Sequence, residues 1–298
     1  MATNEKKDIN RCYKDITNRI VKKLVEGRIP WHERWCSPIH GKCNYVTRRP
    51  YGGVNLLILE DEGEYMTFNQ CKNAGGNIRK GEHSHTIYQH YPVFKSKEDR
   101  EEYNRLKEAG LDTSHIQQIW LLGYVNVFHL SQTEGLKSKN VTCEHESARK
   151  PVDIADYVIK QYLDANGLKV DEKPCDKCSL DSERRTLTIP SRRQFHTEEQ
   201  WYNTLLREIA RTALERADDN DEQDEKTHKK SVVQQELEAE IAACMVMSGV
   251  GLTIQESEKD TLAECSRWID EFNRDFRLVV RASNGAAKAA ERILQPII

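Results

Sequence analysis

The sequence predicts an α+β protein of two domains. Segments with apolar residues every three or four positions open and close the chain, and two runs between residues 86 and 128 alternate in strand fashion. At 298 residues the chain exceeds what one hydrophobic core usually serves. Apolar residues make up 38% and charged residues 31%, which leaves enough Leu, Ile, Val and aromatic side chains for a core and excludes global disorder. No apolar stretch approaches the roughly 18 residues of a membrane span, and Met1 to Lys7 is polar with no leader-like segment after it. The expectation is a cytoplasmic protein with no membrane partner.

Ile9, Tyr13, Ile16, Ile20 and Leu24 mark an amphipathic helix over 8–26, stopped by Gly27 with Pro30 beyond. From Ile29 to Gly53 the density of Trp, Pro, Gly and Cys predicts loop and turn. Val54 to Leu59 is a short apolar run, and Tyr65 to Phe68 leads into a short helix ending at Gly75-Gly76. Thr86 to Phe94 and Ile119 to Phe128 read as strands, separated by a charge-rich helical insertion over 95–112.

The polar stretch 137–150 is the expected linker, which places one domain at 1–137 and the other at 151–298. Beyond it, helices are predicted over 153–166, 198–217, 232–247, 261–274 and 286–294, with a short strand at 186–189 and an acidic loop over 218–230.

Nine scattered cysteines, an odd number, fit reduced thiols better than a disulfide framework. Cys175 and Cys178 form the only close pair, and without a second pair nearby they read as a surface turn rather than a zinc ribbon. Net charge is unevenly divided: residues 1–140 carry +5 and residues 141–298 carry −8. The basic half suits a polyanion and the acidic half does not.

Two groups of residues carry chemistry. In the basic half Trp31, Trp35, Tyr45 and Tyr51 interleave with Arg34, Lys42, Arg48 and Arg49, and Arg79-Lys80-Gly81 follows a glycine turn. Aromatic faces that stack unpaired bases, combined with cations that track a backbone, suit single-stranded nucleic acid. The same composition also describes small-core anchors with cationic stems lying along them.

In the acidic half Leu205-Leu206-Arg207-Glu208-Ile209-Ala210-Arg211 has the frame of the zincin helix, where two His at i and i+4 hold zinc and the Glu after the first is the general base. Both His positions are Arg, which stays protonated and has no lone pair for a metal. Glu236 and Glu240 also stand i and i+4, the spacing of a third ligand and a supporting carboxylate. Pairing of Arg207 or Arg211 with Glu236 or Glu240 would put a guanidinium charge where the ion's charge belongs. Ordinary charge decoration of exposed helices is the alternative.

In this order the two groups resemble the ArdC-type antirestriction proteins of conjugative plasmids and related mobile elements. The N-terminal resemblance runs through Gly27 to Trp31, Tyr51 to Leu57, Met66 to Gln70, Gly75 to Glu82 and Val127 to Gly135; the C-terminal one covers Leu205 to Arg211, Gln235 to Ile241 and the stretches near Trp268 and Ala286. It implies an N-terminal α+β domain that binds single-stranded DNA and a mainly helical zincin-like domain, which together protect incoming DNA. Trp31, Lys42, Arg48, Arg49, Tyr51, Asn55, Arg79 and Lys80 are the candidate DNA contacts. Glu208 matches the general base and Glu236 the carboxylate ligand. The family's cofactor is zinc, but with Arg207 and Arg211 in the frame no metal and no peptidase activity are expected of this chain. The competing expectations are an active metallopeptidase recruiting His196 or His228 with Glu236, and a protein-interaction module.

Overall fold

A computed structural model describes residues 10–33, 42–139, 150–220, 230–254 and 257–297. The chain opens with α1 (Arg11–Val25), which buries the predicted stripe of Ile16, Ile20 and Leu24. Two short helices follow, α2 (Val54–Ile58) and α3 (Phe68–Asn73). Thr67 starts α3 with a capping box, its hydroxyl accepting from the Gln70 N–H while the Gln70 side chain returns to the Thr67 N–H. The apolar run at 54–59 is therefore mostly helical, with Leu56 and Leu57 fully buried.

The main sheet is β1 (Cys43–Asn44), β2 (Glu64–Met66), β5 (Gln118–His129) and β4 (His85–Phe94) in that spatial order. β4 and β5 form a long antiparallel ribbon in register from His85↔Val127 to Phe94↔Gln118. Their connection is α4 (Lys97–Glu108), N-capped by Ser96, with Glu98 and Asp99 in its first turn and Arg105 and Lys107 in its last. A separate pair joins β3 (Asn77–Ile78) to β6 (Thr133–Glu134).

The predicted linker falls largely on residues 140–149, outside the described residues. Pro151 then begins α5 (Pro151–Asn166), closed by Gly167 in the left-handed conformation. A small sheet is ordered β7 (Lys169–Lys173), β9 (Thr186–Pro190), β8 (Ser179–Asp181); only its middle strand, buried at Leu187 and Ile189, was legible as apolar alternation. Four long helices complete the chain: α6 (Glu198–Asn220), α7 (Val232–Gly249), α8 (Glu258–Arg274) and α9 (Leu278–Leu294).

α9 starts eight residues before the sequence expectation. Ser-Asn-Gly at 283–285 are weak helix formers beside Ala, and tertiary packing overrides that preference. α9 turns its small residues, Ala282, Ser283, Ala286 and Ala290, into the core against the almost wholly buried α7. A Cβ on Gly285 would lie 2.8 Å from the Glu238 carboxyl carbon, so only glycine admits that approach.

The two halves share one core. Ile16, Ile20, Leu24, Ile29, Trp31, Val54, Leu56 and Leu57 from the first sixty residues belong to the same buried cluster as α5 to α9. Among the described residues, the N-terminal half has two small clusters apart from it, one around Tyr65 and Val127 and one around Met66. No helix among the described residues is long and apolar enough to cross a membrane.

Candidate functional site

The zincin frame lies where α6 and α7 pack, with α8 and the turn at Pro30–His32 alongside. The 3.6-residue period places Arg207 and Arg211 on one face of α6 and Glu236 and Glu240 on one face of α7. The Arg207 Nη2 donates to Glu240 Oε2 at 3.1 Å, and the Trp31 indole Nε1 donates to Glu240 Oε1 at 2.7 Å. Glu240 is 2% exposed. Arg211 turns back to its own helix and pairs with Glu208 at 2.6 Å. Glu236 is bound instead by Arg267 of α8, a residue no spacing rule singled out. Of the four pairings the sequence allowed, Arg207 with Glu240 is the contact formed.

Glu240 also hydrogen-bonds to Glu264 of α8, and His32 completes the cluster: the ligand-capable atoms of His32, Glu240 and Glu264 lie within 4.8 Å of one another. Burial pushes the Glu240 carboxyl well above the usual range, and the facing Glu264 pushes it the same way. Burial also opposes ionisation of Glu264, but the hydrogen bond from Glu240, with His32, the Trp268 N–H and Arg207, outweighs it and holds Glu264 low. One proton is therefore shared, carried by Glu240 and donated to the Glu264 carboxylate. Burial lowers His32 to about 4, so its ring is neutral at pH 7. The single negative charge on Glu264 is matched by the Arg207 guanidinium.

This donor set does not fit a zinc ion of the zincin kind. Guanidinium nitrogens offer no lone pair; Arg207 donates to Glu240, Arg211 is paired with Glu208, and Glu236 with Arg267. His32, Glu240 and Glu264 are the one grouping of metal-ligating side chains among the described residues, yet both Glu240 oxygens already accept from Trp31 and Arg207. His196 lies in the turn before α6, its backbone N–H bonded to Gln200, and His228 lies outside the described residues.

The residues expected to contact DNA separate into three kinds. Trp31 is wholly buried, its ring edge-on to Trp268 and Phe272. Lys42 is buried and donates to the carbonyls of Leu56 and Leu59. Asn55 clips α2 to β4, donating to the Tyr88 carbonyl at 2.7 Å and accepting from the Tyr88 N–H at 2.8 Å. These three hold the fold together, and their faces are not open to a base or phosphate. Arg48 pairs with the buried Glu64, and Arg79 with Glu82 at 2.7 Å. Tyr51 is half-buried edge-on to Tyr65. Arg49 and Lys80 are exposed. Tyr45 is buried, and Arg34 and Trp35 lie outside the described residues.

Sequence comparison finds two family matches in the chain. Residues 10–128 match the N-terminal domain of anti-restriction factor ArdC, and residues 158–285 match a zincin-like metallopeptidase family. The DNA primase TraC of Escherichia coli is 22% identical over 292 residues, covering 94% of this chain but only 19% of that protein, so the chain spans about a fifth of its relative's length. Among solved structures, the antirestriction ArdC protein from plasmid R388 superposes in its metal-free form with a TM-score of 0.67 at 21% identity, covering 96% of this chain and 97% of the other. Its Mn(II)-bound form gives 0.65 at 21% identity, over 95% and 97%.

Proposed function

The chain has the ArdC-type architecture of the antirestriction family, an ArdC N-terminal domain joined to a zincin-like domain, and on that premise we propose that it is a cytoplasmic single-stranded DNA-binding protein of a mobile genetic element, protecting incoming DNA, whose zincin-like half is catalytically silent. The carrying observation is the hydrogen bond from Arg207 to Glu240, which puts a fixed guanidinium charge in the frame where a zincin seats its metal. With two arginines in that frame, the activity left to the chain is the one its basic half supports, with net charge +5 over residues 1–140. Affinity then falls with salt, because counterion release supplies much of the binding free energy of such an interface.

Two measurements on the full chain test this reading. Anisotropy of a labelled single-stranded oligonucleotide over a salt series, with duplex competitor, is expected to show salt-sensitive binding that prefers the single strand; absence of binding at low salt overturns it. Metal analysis of the purified protein is expected to find no stoichiometric zinc. Stoichiometric zinc that is lost on Glu236→Ala would instead establish a working metal centre.

A further inference from the structure

We infer that single-stranded DNA is held in the cleft between α1 and the β4–β5 ribbon, with Tyr124 and Trp120 as stacking faces and Arg11, Lys14 and Arg19 as the backbone-tracking cations; this rests on the DNA-binding reading above and assigns its site. The cleft measures about 380 Å³ and is lined from one side by α1 and from the other by Thr86, Tyr88 and Tyr124. None of its charged or aromatic residues was among the expected DNA contacts.

The charge balance of the cleft favours a polyanion. Asp15 is the only acid among its described lining residues, and its carboxylate accepts from the Tyr88 hydroxyl and pairs with Arg19 at 3.4 Å. The Arg19 guanidinium in turn lies 5.9 Å from the centre of the Tyr88 ring. Asp15 thus fixes the cleft wall, and Arg11 and Lys14, both exposed on the same helix, leave the cleft net positive.

The aromatic side is arranged for planar groups. Tyr88 and Tyr124 are directly opposite in the ladder, yet Tyr88 is buried under α1 while Tyr124 is 60% exposed. Trp120 is 50% exposed and lies four residues from Tyr124, on the same face of β5 by the two-residue period. At about 3.4 Å per residue the two rings stand about 14 Å apart, too far to clamp one base and suited to separate bases of one strand. A large aromatic side chain left in water beside the cations of α1, with a second on the same ribbon face beyond the cleft, matches a ligand with planar faces and a phosphate chain.

The test uses the full chain and a labelled oligothymidylate in the same anisotropy format. Wild type is expected to bind, with Tyr124→Ala/Trp120→Ala weakening it by roughly 30-fold or more, at about 1–3 kcal/mol for each of two bases, and Tyr124→Phe retaining affinity. Arg11→Ala/Lys14→Ala is expected to reduce the log–log salt slope by about 1.4, at about 0.7 for each phosphate contact to a single strand. Arg79→Ala/Lys80→Ala, at the turn after β3, is expected to weaken binding less than either cleft variant. Because the cleft substitutions are at exposed positions, unchanged thermal unfolding separates lost contacts from lost fold. Undiminished binding by the cleft variants, or a loss confined to Arg79→Ala/Lys80→Ala, overturns the site while leaving the DNA-binding reading intact. No binding by wild type overturns both.

Discussion

The indole N–H of Trp31 and the carboxyl of Glu240 are joined by a 2.7 Å hydrogen bond across 209 positions of sequence. Trp31 comes from the half of the chain matched to the ArdC N-terminal domain, and Glu240 from the zincin-like half. The bond lies inside the shared core, so it couples the folding of both.

Trp31→Phe keeps most of the ring volume and removes the donor. Leaving a buried carboxyl oxygen without its partner costs about 1–3 kcal/mol, read as a shift in the urea midpoint with an unchanged m-value. A fragment ending near residue 139 loses the partners of Trp31, Ile16, Ile20 and Leu24 together. It is expected to lack a cooperative thermal transition by circular dichroism, and a sharp transition in that fragment would contradict the shared core.

His32 makes stability depend on pH on the acid side. Its folded value is lowered to about 4 from an ordinary 6.5, so the folded state resists the proton that the unfolded chain accepts. The resulting stability, on the order of 3 kcal/mol, is present above pH 6.5 and is lost as pH falls toward 4. Urea unfolding of His32→Gln across this interval is expected to show a shallower decline than wild type; parallel curves would rule the contribution out.

Glu240 acts in the opposite sense. Its carboxyl is raised by burial and by Glu264, so the stability tied to its proton is present below the ordinary carboxylate value and lost as pH rises through the folded one. Glu240→Gln keeps an acceptor for Trp31 and cannot ionise. Its stability relative to wild type is expected to improve with rising pH, and a constant difference would mean that Glu240 is ionised throughout.

Restoring ligands tests whether the two arginines alone keep the frame from holding a metal. Arg207→His/Arg211→His, combined with Arg267→Ala to free Glu236, supplies two imidazoles and a carboxylate in zincin spacing. The triple variant is expected to retain about one equivalent of zinc through dialysis, since three protein ligands suffice for a catalytic-type site. Failure to retain zinc would show that the backbone, and not the two arginines alone, has departed from a metal-holding geometry.

Gly285→Ala reverses the ordinary helix preference. Alanine favours an exposed helix interior by about 1 kcal/mol over glycine, but here the new methyl meets the Glu238 carboxyl, which Lys230 and Gln234 hold in place at 2.9 and 2.8 Å. Overpacking of about 1–3 kcal/mol is expected to win and to appear as a lower melting temperature.

The helices were legible because their apolar spacing and stop signals agree: the stripe from Ile16 to Leu24 and the Pro151 and Gly167 ends of α5 all lie where local rules place them. The start of α9 was not, because Ser283, Asn284 and Gly285 are chosen for close approach to α7 and Gly53 rather than for propensity. At the frame, Arg207, Glu236 and Glu240 were visible as an i, i+4 pattern. Glu264, Arg267 and His32 were not, since their role depends on which elements pack together, and adjacency to Trp31 carries no such signal. The aromatic and basic composition near residues 31–55 was misread for the reason composition misleads: Trp31, Lys42 and Asn55 use the same atoms to close turns and fill the core as they would to grip a ligand.

The common core also governs how such a chain can change through descent. Because α1 and Trp31 find their packing partners on α7 to α9, the zincin-like half cannot be trimmed away without removing part of the core of the other. Recombination that exchanges either half between relatives must bring the matching seam with it, so the two halves travel as one heritable unit.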